Sequence, residues 1–136
     1  MATRSVEVCW TGEGLRFNAV TGGGPLVVAD DPQPGSGPSP MELLLVAVGA
    51  CTAMDVVDIL GKMRQPLEGL SVEVVGEKAE EHPQQYTSIE VVFHLKGDLS
   101  EAKVRHAIEL SESTYCSVEA TLRNGLRVGS RFEIES

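Results

Sequence analysis

Cys51 and Cys116 are the residues whose type and setting point most directly to chemistry. A thiol becomes a nucleophile, a redox centre or a metal ligand as its thiolate. Cys51 falls inside a long apolar stretch. Cys116 follows Tyr115 and opens a short helical segment, where unpaired backbone N–H groups stabilise a thiolate. Each also has a plain structural reading, because cysteine is among the most buried residue types and packs as a small hydrophobe. Cys9, beside Trp10 in an alternating segment, is read as packing.

Other chemistries find less support. The remaining metal-ligand types are His82, His94 and His106. With the cysteines they form no C-x-x-C or H-x-x-x-H group, so neither a metal nor a cofactor is expected. There is no G-x-S-x-G motif for a serine hydrolase. Gly22 to Gly24 is followed by neither a Lys-Ser/Thr pair nor a helix start, so it is not a phosphate loop.

Composition narrows the class further. The chain has 136 residues, of which 42% are hydrophobic, which suits one folded domain over residues 1–136. The net charge of -9 repels phosphate backbones and anionic membranes, so neither nucleic acid nor a membrane is an expected partner. The N-terminus lacks the apolar core of a signal peptide. The run from Leu43 to Leu60 is read as broken by Asp55 and Asp58, so no membrane span is expected. Three widely spaced cysteines are not a secreted disulfide framework, and a cytoplasmic protein is expected. With aromatics at 4%, base-stacking platforms are not expected.

The elements that must position the two thiols can be read from periodicity. Ser5 to Thr11 alternates, with Val6, Val8 and Trp10 on one side, and predicts a strand with one buried face. Leu15 to Val20 is its hairpin partner, and Leu26 to Val28 a third strand of an antiparallel meander. A loop from Asp30 to Pro40 carries the breakers Asp31-Pro32, Pro34-Gly35 and Gly37-Pro38. It launches a helix from Pro40 to about Arg64, with Ser39 as N-cap and Glu42 in the first turn. The first half of that helix has almost no polar face and must be buried on nearly all sides. Leu70 to Ala79 and Thr87 to Leu95 are two strands joined through Glu80 to Pro83. A helix capped by Ser100 follows, then a break near Thr114-Tyr115 and a short helix from Ser117 to Leu122. Asn124-Gly125 is a turn, and Arg127 to Glu135 a last strand. Grouped strands and helices indicate an α+β fold. So buried a helix in so small a domain points to cover from a second copy, hence an intimate homodimer.

The segment from Gly37 to Thr52, GPSPMELLLVAVGACT, resembles the central helix signature of the OsmC/Ohr family of thiol peroxidases. In that family a Pro-Glu-x-Leu start leads through small apolar residues to Ala-Cys. The segment from Tyr115 to Leu122, YCSVEATL, resembles the family's second signature, Cys-Pro-Val followed by a short helix. Two strands and a helix separate the two cysteines, as the family requires, and the likeness in organisation covers nearly the whole chain. The resemblance implies an interlocked homodimer with antiparallel sheets around a long buried helix. It implies that Cys51 attacks the O–O bond of a small apolar organic hydroperoxide and becomes a sulfenic acid. Cys116 would then resolve it to a disulfide, which an external dithiol reduces.

The family's thiolate is held by an Arg from the N-terminal strands, which is held in turn by a Glu directly after the helix-starting Pro. Here Met41 occupies that position and Glu42 comes one residue later. Glu42 is the candidate for the Glu role, although nine steps of helix turn it by about 180° from Cys51. The Arg is expected near Gly22 to Gly24, which are glycines. Arg4, Arg16, Arg127 and Arg131 remain as compensating cations. Asp55, at i+4 from Cys51, shares its face, where a carboxylate raises a thiol pKa. Its plainer reading is a solvated or capping carboxylate. Two classes follow: a thiol peroxidase, or a binding or redox-sensing protein that keeps the cysteine pair with little peroxidase activity.

Overall fold

A computed structural model describes residues 3–24, 26–30 and 35–135. The loop breakers Asp31, Pro32 and Pro34 lie outside the described residues, as does the side chain of Leu26. The fold is α+β. The chain divides into two units, 1–47 and 48–136.

The first unit holds the expected meander: β1 (Glu7–Trp10), β2 (Phe17–Val20) and β3 (Leu26–Ala29), in the order β1-β2-β3. Both pairings are antiparallel, with Cys9 opposite Asn18 and Asn18 opposite Val28. The alternation in β1 is present, but its expected burial is not. Val6, Val8 and Trp10 are all more than half exposed. Trp10 instead folds its indole over the turn, donating from Nε1 to the Gly14 carbonyl at 3.0 Å. Cys9, expected to pack, is exposed, and its thiol donates to Glu7.

The long helix α1 (Pro40–Lys62) starts where the sequence places it. The Glu42 N–H donates to Ser39 Oγ at 3.2 Å, and the Ser39 N–H donates to Glu42 Oε1 at 2.9 Å. This reciprocal capping box satisfies two donors left free at the first turn. By length and composition α1 is apolar enough to cross a bilayer, so Asp55 and Asp58 do not break the run as the sequence suggested. Asp58 sits on an exposed flank, paired with Lys62 at 3.0 Å.

In the second unit α1 is the core helix. Val56, Ile59 and Leu60 are buried with Ala107, and Leu70, Phe93, Leu95 and Ile108 pack around them. The hairpin below is β4 (Leu67–Lys78) and β5 (Tyr86–Gly97), antiparallel, with Leu70 opposite Leu95, Val72 opposite Phe93 and Val74 opposite Val91. Both strands are longer than predicted, because pairing begins at Leu67 in β4 and runs from Tyr86 to Gly97 in β5, past the apolar alternation. At Gly49, α1 passes close against β4 of the hairpin. A Cβ there would lie 2.6 Å from Val74 Cγ2.

The remaining elements are α2 (Glu101–Leu110), a π turn (Ser111–Tyr115) and α3 (Ser117–Asn124). Ser100 caps α2, accepting from the Lys103 N–H. The predicted last strand is not formed: residues 125–135 pair with no strand among the described residues. Its alternation survives as exposed apolar side chains, with Val128, Phe132 and Ile134 more than four-fifths exposed. Burial of the first half of α1 on nearly all sides is also not met within one chain, and the exposed apolar surface continues into the second half. Val46, Met54 and Val57 are exposed and lie within about 80° of one another around the helix. Apolar alternation records what a segment is built to bury, and one chain does not bury these segments.

Candidate functional site

Cys51 and Cys116 reach one place by different routes. Cys51 sits on α1, half-buried, one residue beyond Ala50. Cys116 is brought there by the π turn after α2. Its N–H donates to the Ser111 carbonyl at 2.8 Å, a five-residue span that widens the helix and ends it. The backbone at Cys116 then becomes extended, and the residue serves as N-cap of α3. Both thiols are free, and Cys116 is 3% exposed.

The Cys51 and Cys116 sulfurs and a carboxylate oxygen of Asp55 all lie within 4.8 Å of one another. The i+4 spacing of Cys51 and Asp55 on one helix face accounts for half of this cluster, and the π turn supplies the rest. Asp55 is not a freely solvated carboxylate. The Ser111 hydroxyl donates to its Oδ2 at 2.8 Å. Ser111 Oγ is also 2.8 Å from Thr52 Oγ1, and both residues are buried. A serine hydroxyl has one proton to give, and Ser111 gives it to Asp55, so Thr52 is the donor to Ser111. The polarised chain Thr52 to Ser111 to Asp55 fixes the carboxylate beside the sulfurs.

Burial and cap position oppose each other at Cys116. Burial pushes its thiol up, and the Glu119 N–H, donating to Sγ at 3.5 Å, partly offsets this. A hydrogen bond and charge from Cys51, and the Glu119 carboxylate, push it further, to about 12. The helix-terminus argument from sequence has the right sign for its own contribution and loses to desolvation.

Among the described residues of the second unit, no Lys or Arg is bonded to Cys51, Asp55 or Cys116. Lys62 pairs with Asp58, Arg105 with Glu101, and Arg131 with Glu133, while Arg123 donates to the Glu112 carbonyl. Glu42, the third residue named from the sequence, spends its carboxylate on the capping box, which holds its pKa below the ordinary value. Sequence reading missed Ser111 and Thr52. Thr52 adjoins Cys51, and Ser111 stands just ahead of the predicted break, but neither signal says that they meet.

A groove of about 530 Å³ runs between α1 and β4, lined by Ala50, Ala53, Met54, Val57, Asp58, Leu70 and Val72. It lies along the exposed apolar strip of α1.

The model of the OsmC-like protein family matches residues 33–131. Protein YhfA of Escherichia coli K12 is 37% identical over 129 residues, covering 94% of this chain and 96% of its own. The fold is shared with a hypothetical protein from Aquifex aeolicus VF5, at 34% identity and a TM-score of 0.82, over 91% of this chain and 89% of that one. A more distant fold neighbour is the organic hydroperoxide resistance protein OhrB of Bacillus subtilis. It is 16% identical with a TM-score of 0.58, over 88% of this chain and 90% of that one.

Proposed function

We propose, for a chain that belongs to the OsmC-like family, that it is a thiol-dependent peroxidase of organic hydroperoxides. The observation that carries this reading is the convergence of Cys51 and Cys116, far apart in sequence, with sulfurs within 4.8 Å. The thiolate of Cys51 attacks the distal oxygen of the hydroperoxide. The O–O bond breaks, an alcohol leaves with a proton, and Cys51 becomes a sulfenic acid. Cys116 then attacks the Cys51 sulfur, water leaves, and a disulfide forms. An external dithiol takes up that oxidation and returns both thiols. Half-burial of Cys51 leaves it reachable, and apolar neighbours on α1 suit a hydroperoxide with a hydrocarbon body.

The working form in this reading is a cytoplasmic homodimer. The exposed strip of α1, the exposed apolar side of β1 and the unpaired residues 125–135 are what a second copy would cover.

A second reading has one specific observation in its favour. Asp55 stands beside both sulfurs, and no cation of the second unit is bonded there. A carboxylate disfavours a thiolate, which suits a slow redox sensor or binding protein better than a fast enzyme.

The two readings separate in a steady-state assay. With cumene hydroperoxide and excess dithiol, the wild type should consume peroxide and Cys51→Ser should fall to the uncatalysed rate. Equal, slow loss in both proteins refutes the peroxidase.

A further inference from the structure

We propose that Cys51, Asp55 and Cys116 form a binding site for a thiophilic divalent cation of the zinc type. The donor set is two sulfurs and one carboxylate oxygen, all within 4.8 Å of one another. Zinc takes S, N and O ligands in tetrahedral geometry, with bonds of roughly 2.3 Å to sulfur and 2.0–2.2 Å to carboxylate oxygen. Two sulfurs on one tetrahedral ion therefore lie roughly 3.8 Å apart. Closing from the present spacing asks for side-chain adjustment of about an ångström. Two soft sulfurs with one oxygen select zinc-like ions over calcium or magnesium, which want all-oxygen shells.

The outer shell is already in place. The Ser111 hydroxyl holds Asp55 Oδ2 at 2.8 Å and is itself held by Thr52. Partners of this kind orient a ligating carboxylate, and their loss typically weakens metal binding about 10–100-fold. Thr52 and Ser111 are both buried, and they hold the carboxylate beside the sulfurs. Cys51 and Asp55 are half-buried, which leaves an approach from solvent. Three protein ligands leave the fourth position to water. The ion binds thiolates, so each thiol proton it displaces passes to solvent, and no oxidant or reductant is involved. An ion so held occupies both sulfurs and keeps them from oxidation.

The proposal is independent of the peroxidase reading, because it needs reduced thiols and no peroxide. Reduced protein is titrated with Co²⁺ as a spectroscopic stand-in, and zinc affinity is measured against a chromophoric chelator. One Co²⁺ per chain is expected, with a sulfur-to-cobalt charge-transfer band and strong tetrahedral visible bands. Cys51→Ser and Cys116→Ser should abolish the charge-transfer band or halve it. Asp55→Asn and Ser111→Ala should each weaken zinc binding about tenfold or more. A wild-type measurement keeps the test free of folding defects. Zinc should slow alkylation of Cys51 while leaving the exposed Cys9 unaffected. No charge-transfer band, equal affinity in Asp55→Asn, or unprotected Cys51 overturns the site.

Discussion

The Cys116 thiol carries opposing influences of burial and helix position. Desolvation dominates and pushes it up to about 12, despite the bond from the Glu119 N–H. Only the thiolate attacks a sulfenic acid. Well below 12 the thiolate fraction grows tenfold per pH unit, so disulfide closure should accelerate about tenfold per unit between pH 7 and pH 9. Acid-quenched mass spectrometry after peroxide addition reads this step. A rate that is flat across this range would show that Cys116 is ionised at neutral pH, against its 3% exposure. The residue scale is also where sequence reading reaches least far. It names Cys51, Cys116 and Asp55, because type and helical spacing are visible in one dimension. It misses Ser111 and Thr52, because a hydroxyl pair joining α1 to a π turn depends on tertiary placement.

At the scale of elements, the starts of helices were legible and the C-terminal segment was not. Ser39, Pro40 and Glu42 write a capping box in four residues, and Ser100 caps α2, so local chemistry decides both. The strand expected at Arg127 to Glu135 needs a partner strand, which alternation alone does not supply. The close pass of α1 over β4 gives a prediction of opposite signs within one helix. A Cβ at Gly49 would meet Val74 Cγ2 at 2.6 Å and Val72 Cγ2 at 3.3 Å, whereas one at Gly61 would meet nothing. Gly49→Ala gains about 1 kcal/mol of helix propensity and loses about 1–3 kcal/mol to overpacking. It should lower the urea midpoint, while Gly61→Ala should raise it by about 0.5–1 kcal/mol of stability. A stabilised Gly49→Ala would mean that helix and hairpin do not approach so closely.

At the scale of the whole molecule, one chain leaves much apolar surface uncovered. Met54 is 70% exposed, Phe132 83% and Ile134 84%, far from the setting such side chains favour. The sequence expectation that the first half of α1 is buried on nearly all sides and the single chain's exposed strip are reconciled if a second copy covers it. Light scattering on the eluted protein should give twice the chain mass of 14.5 kDa across micromolar concentrations. Met54→Glu, in the groove of α1, should shift that mass toward the monomer. A wild-type monomer throughout would contradict the covering copy.

The central functional claim is that Cys51 and Cys116 act as a redox pair. The most direct measurement is a single turnover. Reduced protein is treated with one equivalent of cumene hydroperoxide per chain, unfolded in alkylating agent and mapped by peptide mass. The account predicts loss of two hydrogens per chain, a peptide linked through Cys51 and Cys116, and alkylated Cys9. Recovery of Cys51 and Cys116 both alkylated, or a link through Cys9, would contradict it.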